Sequence, residues 1–333
     1  MKNQRGVILI VVVWALTLLM VIAAEMVRTM RLEGLTADTY QEEVVTYYLA
    51  MAGLHRVLYQ FALAQQRGQT MLSQPGAPGR GRQQQQQGEL EVWVRGDGRW
   101  QSEEFGAGGY WVRVSDEGGK LNLNQITEPT LQQTFTNLGV DAKVGEALTD
   151  AILDWRDTDP LTRLHGAESD YYLTLPIPYP AKDGPFDTLD ELLLVRGVTS
   201  ALFYGGLREV FTVYSSDGGG STNLLTASPL VLRAVLGIDA ATAEDLVQRR
   251  AETNSPELAN LMPKGGGVGA GMNFNLPTVV TIESVGYLNT GGVTRHLSAV
   301  VQRTGMSQFR FLRWQDRQEG TVAPPPAQPS QPG

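Results

Sequence analysis

Five carboxylates, Asp154, Asp157, Asp159, Glu168 and Asp170, crowd into 17 consecutive positions and are the residues of this chain best suited to chemistry. Carboxylates this close repel one another unless a cation or neighbouring bases offset the charge. An oxygen-only donor set of this density suits Ca2+, which accepts about six to eight oxygens in flexible geometry. The spacing is not that of an EF-hand loop, and a solvated acidic loop eased by Arg156 and Arg163 has the same sequence. Both readings stand on the residues alone. Asp157, Asp159, Glu168 and Asp170 are the candidate ligands, and Asp154 is expected inside the preceding helix.

Other chemistries find little support. The chain has no cysteine, which removes disulfides, thiolate zinc sites and cysteine nucleophiles. The three histidines, His55, His165 and His296, are scattered, with no GxSxG elbow or HExxH helix around them. The glycine run from Gly265 to Gly271 follows Lys264 instead of enclosing it, so it is not a phosphate loop. No catalytic residues and no enzymatic activity are expected. Leu236-Gly237-Ile238 resembles a helix-hairpin-helix turn, and Gly197-Val198 is a poorer copy. However, Asp239 stands where a DNA-binding hairpin needs a second glycine. Between Leu123 and Asn275 there are 10 Lys and Arg against 20 Asp and Glu, a surface that repels a phosphate backbone. The hairpin reads as a packing device, and no nucleic acid partner is expected.

The elements that must carry these residues begin with a membrane anchor. Val7 to Ala24 is an apolar run broken only by Thr17, with Lys2 and Arg5 before it and Glu25 after it. At about 1.5 Å per residue it reaches roughly 27 Å, enough to cross a bilayer core. The flanking charges put the N-terminus in the cytoplasm and the remainder across the membrane. Helix formers continue to Gln66 without a proline. Val44, Tyr48, Met51, His55, Leu58 and Ala62 repeat at helical spacing as an apolar stripe. A linker with Pro75, Pro78 and five glutamines spans 67–88. Strands are expected at Leu90, Val92 and Val94 and at Tyr110 to Val114, then only at Val279–Leu288, Thr294–Gln302 and Phe309–Trp314. Between them, Asp141–Trp155, Thr188–Val195, Pro229–Leu236 and Ala240–Ala251 read as helices. A return to strand pattern after a long helical stretch indicates one domain inserted into another.

Several motifs occur in one order: Arg5-Gly6 before the apolar run, GKLNLN (119–124), DWRDTD (154–159), GAESDYY (166–172), DELLLVRGVT (190–199) and NLLTA (223–227). Together they resemble the K-type minor pseudopilins of the type II secretion system. The resemblance implies an α+β fold with a long N-terminal transmembrane and amphipathic helix, a pilin-like antiparallel sheet and an inserted all-helical domain. On this basis 1–6 is a leader, 7–66 the helix (7–24 in the membrane), 67–124 and 276–315 the pilin-like domain, 125–275 the insertion and 316–333 a disordered tail. It further implies cleavage by prepilin peptidase between Gly6 and Val7, I-type and J-type pseudopilin partners gripped through Val44, Tyr48 and Met51, and Ca2+ in the insertion. The family characteristically lacks the glutamate found five residues after the cut in most pilins, and Val11 occupies that position here. NLLTA departs from the usual Asn-Val-Asn-Thr-Ala, with Leu225 replacing the second asparagine. The implied function is a cap at the tip of the periplasmic pseudopilus that helps initiate its assembly. The competing reading is a membrane-anchored hairpin protein that receives DNA during uptake.

Overall fold

The computed structural model describes residues 4–73, 93–214, 222–252, 270–271, 276–305 and 307–319. Helix α1 (Gln4–Ser73) is one element of 70 residues, roughly 105 Å long at about 1.5 Å per residue. It passes through Gly34 without a break. It also runs seven residues beyond its expected end at Gln66, because only Gly68 is a poor helix former before Pro75. Its segment Leu9–Arg31 is long and apolar enough to cross a membrane and buries nothing against protein.

Five strands form one antiparallel sheet in the order β1-β2-β7-β8-β9: β1 (Asp97–Phe105), β2 (Gly108–Asp116), β7 (Val279–Leu288), β8 (Thr294–Gly305) and β9 (Gln308–Glu319). The second half of α1 lies over β2, β7 and β8. Thr46, Ala50, Leu54, Val57 and Phe61, at three- and four-residue spacing, are buried there, the last three in a core with Val112, Ile282, Ala299 and Val301. Two glycines allow this close approach. A Cβ on Gly286 would overlap the Thr46 carbonyl oxygen, and one on Gly53 would overlap Ser284 Oγ and crowd the Tyr110 ring.

The first expected strand is corrected. Residues 93 and 94 are helical, Leu90 and Val92 lie outside the described residues, and β1 starts at Asp97. This strand is an edge, so it needs little apolar alternation and left a weak signal in the sequence. At the other end, β9 continues past Trp314 to Glu319, into residues assigned to the tail, because it needs only β8 as a ladder partner.

Between Asp116 and Val279 the chain leaves the sheet and builds a second core. Its main helices are α2 (Glu128–Asn137), α3 (Ala142–Arg156), α4 (Ser169–Tyr172), α5 (Pro229–Leu236) and α6 (Ala240–Glu252). A 3-10 turn fills Leu189–Leu194, where an α-helix was expected. Two helix starts are capped by side chains. Asp141 accepts from the N–H groups of Lys143 and Val144, and Ser228 from that of Val231, with Pro229 in the first turn. The insertion is not wholly helical. Short parallel ladders join β3 (Leu121–Asn122) to β4 (Phe211–Thr212) and β5 (Thr222–Asn223) to β6 (Ala270–Gly271). Leu121 and Leu123, placed by sequence in the pilin-like part, are buried in the insertion core with Phe135, Trp155, Tyr172 and Phe211.

Candidate functional site

The acidic segment begins inside α3. Asp154 is fully buried in its last turn, accepts from the Arg163 backbone N–H at 3.1 Å and lies 3.5 Å from the Arg163 guanidinium. Gly166 packs directly on this carboxylate, and a Cβ there would overlap Asp154 Oδ2. Burial, then the charges of Asp157 and Asp150, push Asp154 up to about 6. Asp157 caps the C-terminus of α3, and its carboxyl is raised by burial and by Asp159. Asp159 accepts from the N–H of Leu161 at 3.0 Å.

Glu168 is buried just before α4. Burial, then Asp154, Asp183, Asp157 and Asp159, push it up to about 7. Two buried carboxylate oxygens, Glu168 Oε1 and Asp157 Oδ1, have no hydrogen-bond partner. An unsatisfied buried acceptor is costly and calls for a missing cation or donor. Asp170, exposed in the first turn of α4, is not among the carboxylates that act most on Glu168. Its place is taken by Asp183, at φ 51, whose segment is drawn in where the Ala181 N–H donates to Ser169 Oγ at 2.9 Å. Sequence reasoning missed Asp183 because it lies beyond a run of alternating prolines, outside the acidic stretch. Beside the site, Trp155, Tyr172 and Tyr179 contact one another, the first two edge to face at 5.1 Å and the last two stacked at 5.4 Å.

Among the described residues, no three Asp, Glu or His side chains are close enough as arranged to enclose an ion. The donor set still fits Ca2+ chemically. It is all oxygen, mutually repelling and carries two orphaned acceptors. Asp154, Asp157, Asp159, Glu168 and Asp183 would hold the ion, which would add positive charge to that of Arg163.

A second feature is on α1. Tyr40, Val44, Tyr48 and Tyr59 are 68%, 53%, 66% and 56% exposed. Met51 is half-buried and His55 exposed on the same helix. The helix thus carries two apolar stripes, one spent on its own sheet and one bare. Val11 is exposed within the apolar span, and Gly6 and Val7 lie in the first turns of α1.

The hairpin between α5 and α6 packs inward. Gly237 is left-handed at φ 67, against Asn137, whose Nδ2 donates to the Ala234 carbonyl at 2.8 Å. Asp239 accepts from the Thr242 N–H at 2.9 Å and so already occupies the N-terminus of α6. The histidines do not converge: the exposed His165 offers its backbone N–H to Asp150 at 3.0 Å, and His296 Nε2 lies 3.7 Å from Glu283 on the sheet. In NLLTA, the polar contacts come from Asn223 and Thr226, which both donate to Asp116 Oδ2, while Leu225 is half-buried.

Residues 118–216 match the family model for type II secretion system protein K. Over 275 residues the chain is 28% identical to the type II secretion system protein K of Klebsiella pneumoniae, covering 77% of this chain and 78% of the relative. These likenesses point to the type II secretion system protein K family. Another relative, protein K of Pectobacterium carotovorum subsp. carotovorum, is 29% identical over 171 residues, 46% of this chain and 52% of that one. The fold is also similar to a chain in the crystal structure of the GspK-GspI-GspJ complex from enterotoxigenic Escherichia coli. That match has a TM-score of 0.58 at 16% identity and covers 85% of this chain and all of the other. Homology to protein K supports a minor pseudopilin of the type II secretion system, and among the described residues one N-terminal helix is long and apolar enough to cross a membrane.

Proposed function

We propose that this chain is a K-type minor pseudopilin that caps the tip of the pseudopilus and helps to initiate its assembly for export across the outer membrane. The observation that carries the reading is the bare stripe Tyr40, Val44, Tyr48 and Tyr59, on a helix whose other face is already committed to its own sheet. Bulky apolar side chains at helical spacing need a partner helix to leave water. The fold neighbour was crystallised with GspI and GspJ, so I-type and J-type pseudopilins are the partners assigned to this stripe. Val11 supports the tip position, since an apolar residue in the anchor requires no pairing with a subunit above it. The role is structural and not catalytic, the N-terminus is cytoplasmic, and the globular part is periplasmic. Calcium bound at the acidic loop would stiffen the insertion.

Two results test this reading. Val44→Glu with Tyr48→Glu should reduce co-purification with I-type and J-type partners at least tenfold, about 1.4 kcal/mol, with circular dichroism unchanged. Undiminished co-purification would remove the stripe from the interface. Processing is tested separately. Prepilin peptidase should cut between Gly6 and Val7, so intact mass should place the mature start at Val7, and Gly6→Leu should leave the precursor uncut. A wild-type mature chain that retains Met1 contradicts this.

A further inference from the structure

Carboxylates gathered without an ion depend on whatever base the fold keeps beside them. In this protein that base is Arg163, midway along the loop between Asp159 and Glu168. Its backbone N–H donates to Asp154 Oδ2 at 3.1 Å, and its guanidinium Nε lies 3.5 Å from Asp154 Oδ1. Its charge also acts on Asp157. The other bases nearby are engaged elsewhere. Arg156 donates to the Leu123 and Ile126 carbonyls, Arg196 to the Gly166 carbonyl, and Lys182 pairs with Asp187 and Glu191. Among the described residues, Arg163 is the base whose side chain pairs with a carboxylate of the cluster.

The two contacts of this guanidinium are unequal. Nη1 reaches Glu128 Oε2 on α2 at 2.8 Å, the length of a charge-assisted hydrogen bond. The Nε contact with Asp154, at 3.5 Å, is too long for one. Glu128, which lies outside the acidic cluster, is therefore the firmer partner, and Asp154 is the one more easily given up. A calcium ion draws its oxygens to about 2.4 Å and cannot share them with a like charge. A guanidinium resting on Asp154 therefore competes directly with an entering ion. Arg163 is half-buried at the surface while Asp154 is fully buried, so the positive group stands on the solvent side of the carboxylate it neutralises.

Resting on the calcium reading of the acidic loop, we propose that Arg163 is a stand-in cation: its guanidinium holds Asp154 in the ion-free protein and is displaced onto Glu128 when calcium enters. The test is calcium titration of the full chain in detergent micelles by isothermal calorimetry, with melting temperatures taken in chelator and in calcium. Arg163→Met keeps the aliphatic stem and removes the competing charge. It should tighten calcium binding about tenfold, the weight of one charge-assisted contact. Its melting temperature should fall in chelator, where the carboxylates lose the base that pairs with them, and recover in calcium. Glu128→Gln should weaken calcium binding, since the displaced guanidinium loses its destination, and should change nothing once Arg163→Met is also present. A long-range charge effect would instead add in the double variant, and additive changes overturn the proposal. So does calcium binding that Arg163→Met weakens, or an Arg163→Met chain that is unfolded in calcium as well as in chelator; either makes Arg163 a structural brace. Binding at equal strength by wild type and Arg163→Met removes the proposal alone. If neither binds calcium, the calcium reading falls with it.

Discussion

Millimolar calcium should raise the unfolding temperature of the inserted domain by roughly 5–10 °C. A ligand at a hundredfold excess over its dissociation constant stabilises the folded form by about 2.7 kcal/mol, and each kcal/mol shifts a domain of this size by about 2–4 °C. The structure distributes the effect among residues. Glu168→Gln should abolish the response and raise the cation-free melting temperature, since it removes a buried charge lifted by burial and by four neighbouring carboxylates. Asp183→Asn should weaken the response, whereas Asp170→Asn should leave it intact, because Asp170 is not among the carboxylates whose charges act most on Glu168. Magnesium should substitute poorly, as it requires a tighter octahedron. Terbium in place of calcium should luminesce on excitation of the adjacent Trp155 and Tyr172. The measurement is a melt of the full chain in detergent with chelator, calcium or magnesium. If the melting temperature is the same in chelator and in calcium, the loop binds no ion.

The parts legible in sequence are those fixed by local rules. Asp141, Ser228 and Pro229 announce helix starts through their own hydrogen bonds, and the buried central strands β2, β7 and β8 alternate strongly. The edge strand β1 was misplaced because its residues DGRWQSEEF are half-exposed and carry no clean period. The acidic loop was legible as a charge density, but its membership was not. Which carboxylates converge depends on Ser169 Oγ capturing the 181–183 segment, a contact between residues 12 apart. The bare stripe on α1 could be read from spacing alone. That a second stripe two residues out of phase binds the sheet required the positions of Gly53 and Gly286. The insertion appeared as a pause in the strand pattern, while the way it is fastened to the sheet rests on side chains more than 90 positions apart.

Removing one of those side chains, Glu117, should loosen the insertion and cost about 3–5 kcal/mol, the range for a buried charge pair broken on one side. Glu117 is buried at the seam. Its carboxylate accepts from Thr212 of β4 at 2.5 Å, from Thr281 of β7 at 2.6 Å and from Lys120 Nζ at 2.7 Å. One acid therefore ties the insertion to the sheet. Burial opposes its ionisation, but the Lys120 ammonium and the two hydroxyls outweigh that and hold it below the ordinary carboxylate range. Its contribution is therefore present above the unfolded value of 4.5 and is lost as pH falls through the lower folded value. Neighbouring Asp116 acts in the opposite sense, since burial raises it and its ionised form is the costly one. Comparing wild type with Glu117→Gln isolates the first group: the stability gap between them should shrink from pH 6 to pH 3. Glu117→Ala combined with Thr281→Val should lose less than the sum of the two single changes, by about 1.5–3 kcal/mol for a hydrogen bond to a charged group. Hydrogen exchange should quicken in β3 and β4 of Glu117→Ala before it does in β7 and β8. Strictly additive losses, or exchange that quickens equally in both parts, would show that the seam is held elsewhere.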